Sequence, residues 1–303
     1  VGFVTGHGMR SVKDFDLYGY SNFGWEKERK AGLYTLGFDV EEVALDREIP
    51  MNLDILVMAD MKTTLSLEEE VHLKQYINRG GNLFILGEPR RRDVMNPLLD
   101  KYFGVRMLAG TLVQYRRAGL APDVLSVPFT NAARKISPFY AAYYVNLPTA
   151  IGLEKVGDRG FEYIPLAVTD TTIFEVAQKK EARSYRVWTE LESLDYVKDS
   201  MVYNPVVGEI STDFVPMAAL TRKVNGKEQR VVILGDADCI SNGVMAQQAN
   251  QINGSIVLGT FHYLSEGYRP IYGEMPPMTD DEFYLTSSGW KILRVVCGWG
   301  LPI

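Results

Sequence analysis

The chain alternates between short, almost continuous apolar runs and amphipathic stretches punctuated by glycine. Val1–Val4 is an apolar strand that runs into Thr5-Gly6-His7-Gly8. Asp39–Leu45 alternates like a strand, Leu53–Asp60 is a buried-type strand ending in a carboxylate, and Asn82–Pro89 is another, ending at Glu88. Ser66, followed three residues later by Glu69, carries the capping-box signature of a helix start. Leu67/Val71 and Leu73/Ile77 then give apolar pairs at helical spacing, and Gly80-Gly81 stops the helix. Trp25–Leu36 is a second predicted helix, stopped by Gly37. Apolar strands separated by helices predict a parallel sheet covered on both faces.

From about Gly110 to Ser211 the pattern changes to Tyr-, Thr- and Pro-rich sequence with short β-like runs. Ser137–Tyr144 is aromatic and Tyr185–Trp188 is strand-like. The α/β pattern then returns. Phe214–Val224 and Gln229–Gly235 flank Asn225-Gly226, the strongest short hairpin signal. Val231–Asp238 is a further buried strand with an acidic end, and Ala249–Leu264 is a helix. The expected organisation is a first α/β block over 1–108, a β-rich insertion or second lobe over 109–211, and a hairpin with a returning α/β block over 212–303. No repeat of fixed period and no low-complexity tract is present.

Composition narrows the function classes. Hydrophobic residues are 46% and charged residues 23% of 303, which excludes disorder, collagen and coiled coil as overall descriptions. The net charge of −6, without a long basic stripe, excludes nucleic acid as the expected partner, because phosphate neutralisation supplies most of that affinity. No run reaches the ~18 apolar residues of a spanning helix. The chain opens directly into a strand and is read as a soluble piece of a longer protein. Gly289–Ile303 grows apolar and carries two Trp beside Lys and Arg, either an approach to a bilayer interface or a terminal element packed on the core. Cys239 and Cys297 are too few for a disulfide framework or a zinc site and are expected to be buried free thiols.

In open α/β sheets ligands bind beyond the carboxyl ends of the strands. The residues at those ends are His7, Asp60, Glu88, Asp236 and Asp238. Such a rim can hold a divalent cation or an acid/base pair. Equally, Asp after a strand satisfies loop backbone donors, and Asp238 with Ser241 and Asn242 can cap the next turn. Gly6-His7-Gly8 has neither dinucleotide nor P-loop spacing, and there is no G-x-S-x-G elbow. Glutamine-amidotransferase-like folds place a nucleophilic Cys on a sharp turn after a strand. The corresponding turn, Leu86-Gly87-Glu88-Pro89, has no nucleophile, and Cys239 has no His near it in sequence. Arg90-Arg91-Arg92 is a basic cluster on the same rim, either an anion or partner site or a solvated loop.

Val1–Gly8, Leu53–Asp60 with Leu65–Glu69, Tyr76–Glu88 and Val231–Asn242 together resemble the auxiliary, substrate-binding-like component of ABC-2 type transporters, a family that includes the gliding-motility-associated auxiliary protein. They are also similar to a domain shared with an intraflagellar-transport protein. The resemblance covers roughly 1–105 and 212–265. It implies a flavodoxin-like or class I glutamine-amidotransferase-like sheet without the amidotransferase nucleophile. It also implies a periplasmic or extracytoplasmic module, anchored at the inner membrane by segments outside this sequence and partnered by permease and ATPase subunits. Catalytic residues do not come with it. The motif positions are His7, Gly80, Gly81, Gly235, Asp236, Asp238 and Asn242.

The resulting expectation is a non-enzymatic module of an ABC-type export or gliding-motility complex, with no cofactor and no metal. It binds a partner or transported ligand through the rim of His7, Asp60, Glu88, Asp236, Asp238 and Asn242 and through the aromatic middle region. The rivals are a metal-dependent hydrolase using His7, Asp236 and Asp238, and a scaffold with no small-molecule site.

Overall fold

A computed structural model describes residues 1–26, 32–114, 121–142, 144–169, 173–175, 182–184, 186–192 and 202–267. The central sheet has seven strands: β1 (Gly2–Thr5), β2 (Glu41–Ala44), β3 (Ile55–Ala59), β4 (Asn82–Leu86), β5 (Glu162–Ala167), β6 (Met217–Val224) and β7 (Lys227–Leu234). Their order is β5-β6-β7-β4-β3-β1-β2. The run β2-β1-β3-β4-β7 is parallel throughout, and its order reverses at β1, as in a doubly wound sheet.

The expectation of a parallel sheet is corrected at one edge, where β6 and β5 are antiparallel. The cause is the predicted turn. Asn225 and Gly226 have φ of 51° and 81°, the left-handed pair that a two-residue hairpin of this twist requires. Val224 therefore pairs with Lys227 and the ladder runs back to Met217 opposite Leu234. β5 adds beside β6 with a register shift between Pro165 and Ala167.

Successive side chains of a strand point to opposite faces, and the two core clusters sort accordingly. Ile55, Val57 and Ala59 of β3 join Phe84, Leu86, Val232 and Leu234 on one face. Leu56 and Met58 join Leu83, Ile85, Val231 and Ile233 on the other. The second face is covered by α1 (Leu67–Asn78) through Leu73, Tyr76 and Ile77, and by α2 (Arg92–Phe103) through Met95, Leu99 and Phe103. The first is covered by α3 (Gly254–Leu264), whose Phe261 meets Phe84 edge to face at 6.0 Å. The middle region completes that cover: Leu125, Val127, Phe129, Tyr140, Val145 and Leu147 lie in the same cluster. The described residues of 109–211 thus roof the sheet and supply its strand β5, within a compact unit spanning 1–270.

The capping box at Ser66 forms as predicted: Ser66 Oγ accepts from the Glu69 amide, and the Glu69 carboxylate accepts from the Ser66 amide. Of the two predicted apolar pairs, Leu73/Ile77 is core, whereas Leu67 and Val71 face solvent. The Trp25–Leu36 helix is corrected. A single turn forms earlier, at Ser21–Gly24, and the Leu33 amide returns to the Phe23 carbonyl. Residues 27–31 lie outside the described residues. The helix expected over Ala249–Leu264 begins at Gly254, after a 3-10 stretch over Gln248–Asn253. There the buried Asn253 side-chain amide donates to Asn146 O and Cys239 O. Cys239 is buried and free. Cys297, Tyr185 and the apolar tail 289–303 lie outside the described residues. Among those described, no helix is long and apolar enough to cross a membrane.

The sheet leaves no room behind its last parallel strand. A Cβ at Gly235 would lie 2.2 Å from the Ile151 carbonyl oxygen, while Gly235 O accepts from the Ile151 amide at 2.8 Å. Gly235→Ala is therefore expected to destabilise the protein by about 1–3 kcal/mol, measured as a lower midpoint in urea unfolding with an unchanged m value.

Candidate functional site

The carboxyl ends of β1, β3, β4 and β7 are stitched together beyond the strands themselves. Arg10 N donates to Ala59 O, Asp60 N to Leu86 O, Gly87 N to Leu234 O and Ala237 N to Gly87 O. This brings Asp60, Glu88 and Asp238 around a residue the sequence reading passed over, Arg10. Its guanidinium is buried, with Nη2 at 2.7 Å from Asp238 and 3.5 Å from Glu88, and Nε at 3.4 Å from Asp60. Nη1 donates to Ala237 O at 3.2 Å, and the Tyr20 hydroxyl donates to the same carbonyl at 2.7 Å. Arg91, from the basic triplet, pairs with Asp60 at 2.7 Å. Arg90 stays exposed and Arg92 lies beside Asp93. The signal for Arg10 was present: several strand-end carboxylates on one rim demand a cation, and Arg10 follows the Gly6-His7-Gly8 turn by two residues.

Asp236 is fully buried. Its Oδ1 accepts from the Cys239 amide at 2.9 Å, and Oδ2 has no partner among the described residues. Burial, then the charges of Glu88 and Asp238, pushes its pKa well above the usual range. Glu88 accepts the Ala237 and Asp238 amides on one oxygen, at 2.8 and 3.0 Å. Burial first and Asp238 second push its pKa up to about 8, against the pull of Arg10. Burial opposes the Arg10 charge, but Tyr20, Asp238 and Glu88 outweigh it and raise its pKa. The raised pKa values of Asp236 and Glu88 favour their neutral forms and so lessen the negative charge that Arg10 and Arg91 must offset.

His7 is not part of this cluster. It stands in a run of three left-handed residues, with φ of 85° at Gly6, 52° at His7 and 64° at Gly8. This turn directs its ring to the start of α1, where Nε2 is 2.9 Å from Glu69 Oε1 and Nδ1 is 3.1 Å from Thr63 Oγ1. The hydrogen bond from His7, then the Ser66 amide, lowers the Glu69 pKa to about 2. Asn242 is placed differently again. Its side-chain NH2 donates to Asp14 O, Asp16 O and Ser21 Oγ, and its Oδ1 accepts from the Asn22 amide at 2.9 Å. It fastens the loop Met9–Gly19 across the rim.

Of the six residues expected to line a site, three converge on Arg10, Asp236 sits beneath them, and His7 and Asn242 serve neighbouring turns. The His7–Asp236–Asp238 constellation needed for metal-assisted hydrolysis is not assembled. Among the described residues no group of three His, Cys, Asp or Glu side chains is arranged to hold a metal ion. Cys239 is equally unsuited to attack. Burial, then Asp236, drives its pKa well up, and its thiol donates to Asp236 O at 3.2 Å, so the nucleophilic thiolate is suppressed.

The family model described as an ABC-type uncharacterized transport system matches residues 1–257. Among solved structures, the mmIFT52 N-terminal domain aligns with a TM-score of 0.56 at 15% identity, over 90% of this chain and 100% of that domain, a likeness of fold. A ThuA-like protein from Bacteroides uniformis aligns with a TM-score of 0.46 at 11% identity, over 87% of this chain and 90% of that one. No curated protein sequence matches the chain.

Two outcomes follow from the cluster. Arg10→Ala leaves buried carboxylates without their cation and is expected to cost about 3–5 kcal/mol. The loss should be smaller at pH 5 than at pH 8, because Glu88, with its pKa raised to about 8, is then protonated and no longer needs the cation; chemical unfolding at both pH values reads this. Separately, Glu88 has a folded pKa of about 8, above its unfolded value of about 4.3. The folded state therefore holds the extra proton, and the stability this gives is present below about pH 4.3 and is lost as pH rises towards 8. Glu88→Gln is expected to flatten the fall in melting temperature between pH 5 and pH 8. A slope equal to that of the unsubstituted protein would remove Glu88 as its source.

Proposed function

The chain belongs to the family of the ABC-type uncharacterized transport system, an auxiliary component of such systems, and on that footing we propose that it is a non-enzymatic, extracytoplasmic module of an ABC-type complex for export or gliding motility. Its partners are the permease and ATPase subunits of that complex, and the full-length protein is held at the extracytoplasmic face of the inner membrane by segments outside this sequence. We read the sheet as a flavodoxin-like or glutamine-amidotransferase-like framework that has kept its architecture and lost the nucleophile.

The observation that carries the reading is the family match over residues 1–257. The state of the carboxyl-end rim supports it. Where an enzyme of this architecture keeps an open crevice, Arg10 occupies the space between Asp60, Glu88 and Asp238. Acyl transfer needs a nucleophile with a base in hydrogen-bond reach. Cys239 is buried with a raised pKa, and the rim imidazole, His7, is engaged by Glu69 and Thr63.

The expected outcome is that the full-length protein fractionates with membranes and co-purifies with the permease and ATPase in detergent. The module should show no esterase, peptidase or phosphatase turnover with Mg²⁺, Mn²⁺ or Zn²⁺ added. Recovery of the full-length protein from the soluble fraction without either subunit would defeat the assignment. So would turnover that disappears in both His7→Ala and Asp238→Ala proteins with the fold intact.

A further inference from the structure

The loop over the rim presents large apolar side chains outward, although the Tyr18 ring also lies 5.7 Å from the Arg10 guanidinium carbon. Phe15, Leu17 and Tyr18 are 70%, 69% and 63% exposed. Single exposed apolar residues need no explanation, but three large ones within four positions of one loop do. Disorder does not account for them, because the backbone beneath is pinned at every turn. Asn242 Nδ2 holds the carbonyls of Asp14 and Asp16 at 2.9 and 2.8 Å. Gly243 N donates to Leu17 O at 2.8 Å, and Asn242 N to Gly19 O at 2.9 Å. The Asp16 carboxylate accepts the amides of Tyr18 and Gly19 at 2.8 and 2.7 Å. Glycine is required where the loop closes most tightly: a Cβ at Gly19 would lie 2.0 Å from Asp14 O. The three side chains are thus presented on a scaffold already fixed to the sheet, and docking them would not require ordering the loop.

Charge selects the occupant. Asp14 and Asp16 are exposed in the same loop, and the adjacent cation, Lys13, is paired with Glu42 at 3.3 Å. An acidic rim around apolar side chains is repelled by an anionic bilayer surface. It is also repelled by itself, since a two-fold contact between copies would set the same carboxylates against each other. It suits a protein pocket that is apolar at its centre and basic at its edge.

We propose that Phe15, Leu17 and Tyr18 are the anchor by which this chain docks into an apolar, basic-rimmed pocket on the extracytoplasmic side of the permease. The inference rests on the transport-complex reading above and adds the surface through which it acts. A few anchor residues, aromatic ones such as Tyr prominent among them, carry most of an interface's affinity.

The test uses the full-length protein co-expressed with its permease and ATPase. A photo-reactive benzoylphenylalanine replaces Phe15 or Leu17, with Met51, exposed in the segment leading into β3, as the control position. The expected result is a cross-link to the permease from positions 15 and 17 and none from 51. The double variant Phe15→Ser/Leu17→Ser should keep its melting temperature and lose at least ten-fold in affinity for the permease–ATPase complex. Asp14→Lys should weaken binding in the same direction. A cross-link to lipid or to a second copy of this chain would overturn the proposal, as would full affinity in the double variant. No cross-link from 15 or 17 while the complex still co-purifies would overturn it too, leaving the transport-complex reading intact. Failure of the unsubstituted protein to co-purify at all would instead defeat that reading, and this docking surface with it.

Discussion

A buried cation must be surrounded by its counter-charges or it is not tolerated, and in this molecule that requirement falls on Arg10. Its partners come from the loops after three different strands: Asp60 after β3, Glu88 after β4, and Asp238 with the Ala237 carbonyl after β7. Arg10 itself follows β1. One side chain therefore ties four parallel strands together at the end where no covalent turn joins them. Replacing such a network with apolar residues is often harmless to stability, but removing one partner is not. The arrangement fixes which loops lie together. It also places a buried guanidinium at the carboxyl end of the parallel strands, between the three carboxylates.

Closure and presentation are linked through the same loop. Asn242 and Gly243 hold the Met9–Gly19 segment down from the side of β7, and Arg10 and Tyr20 hold it from beneath. The segment cannot lie across the rim without projecting its middle outward, and the residues at that outward point are the large apolar ones. The loop held down over the strand ends is thus the one that carries Phe15, Leu17 and Tyr18 on its exposed side.

The parts of the fold that local chemistry decides were legible in the sequence. The capping box at Ser66 and Glu69 is a four-residue matter. The Asn225-Gly226 hairpin is set by two residues that accept positive φ, and the buried strands declare themselves by continuous apolar runs. The four strand-end carboxylates were also found, because strand ends can be counted. What joins three of them was not, because Asp60, Glu88 and Asp238 meet at a residue far along the chain, whereas Asp236 serves its own turn through the Cys239 amide. Arg10 meets Asp238 across 228 positions, and Asn242 reaches back to Asp14. His7 was grouped with the acids by its position after β1, but three successive left-handed residues turn it towards Glu69. The Trp25–Leu36 periodicity was a fair helix signal, but among the described residues of that range the chain turns back instead, with the Leu33 amide on the Phe23 carbonyl. The roofing role of the described part of 109–211 depends on which sheet face is left uncovered, something no local pattern states.

The two borders of the sheet have a consequence for how this protein can associate. At one, β5 contains Pro165, which lacks an amide to donate, and its ladder is broken by a register shift before Ala167. At the other, β2 is four residues long and begins with Glu41 and Glu42. Neither offers the long, regular row of free backbone groups that an incoming strand would need to template on. Among the described residues, growth of the sheet by strand addition, whether into a partner or into an aggregate, is discouraged on both sides.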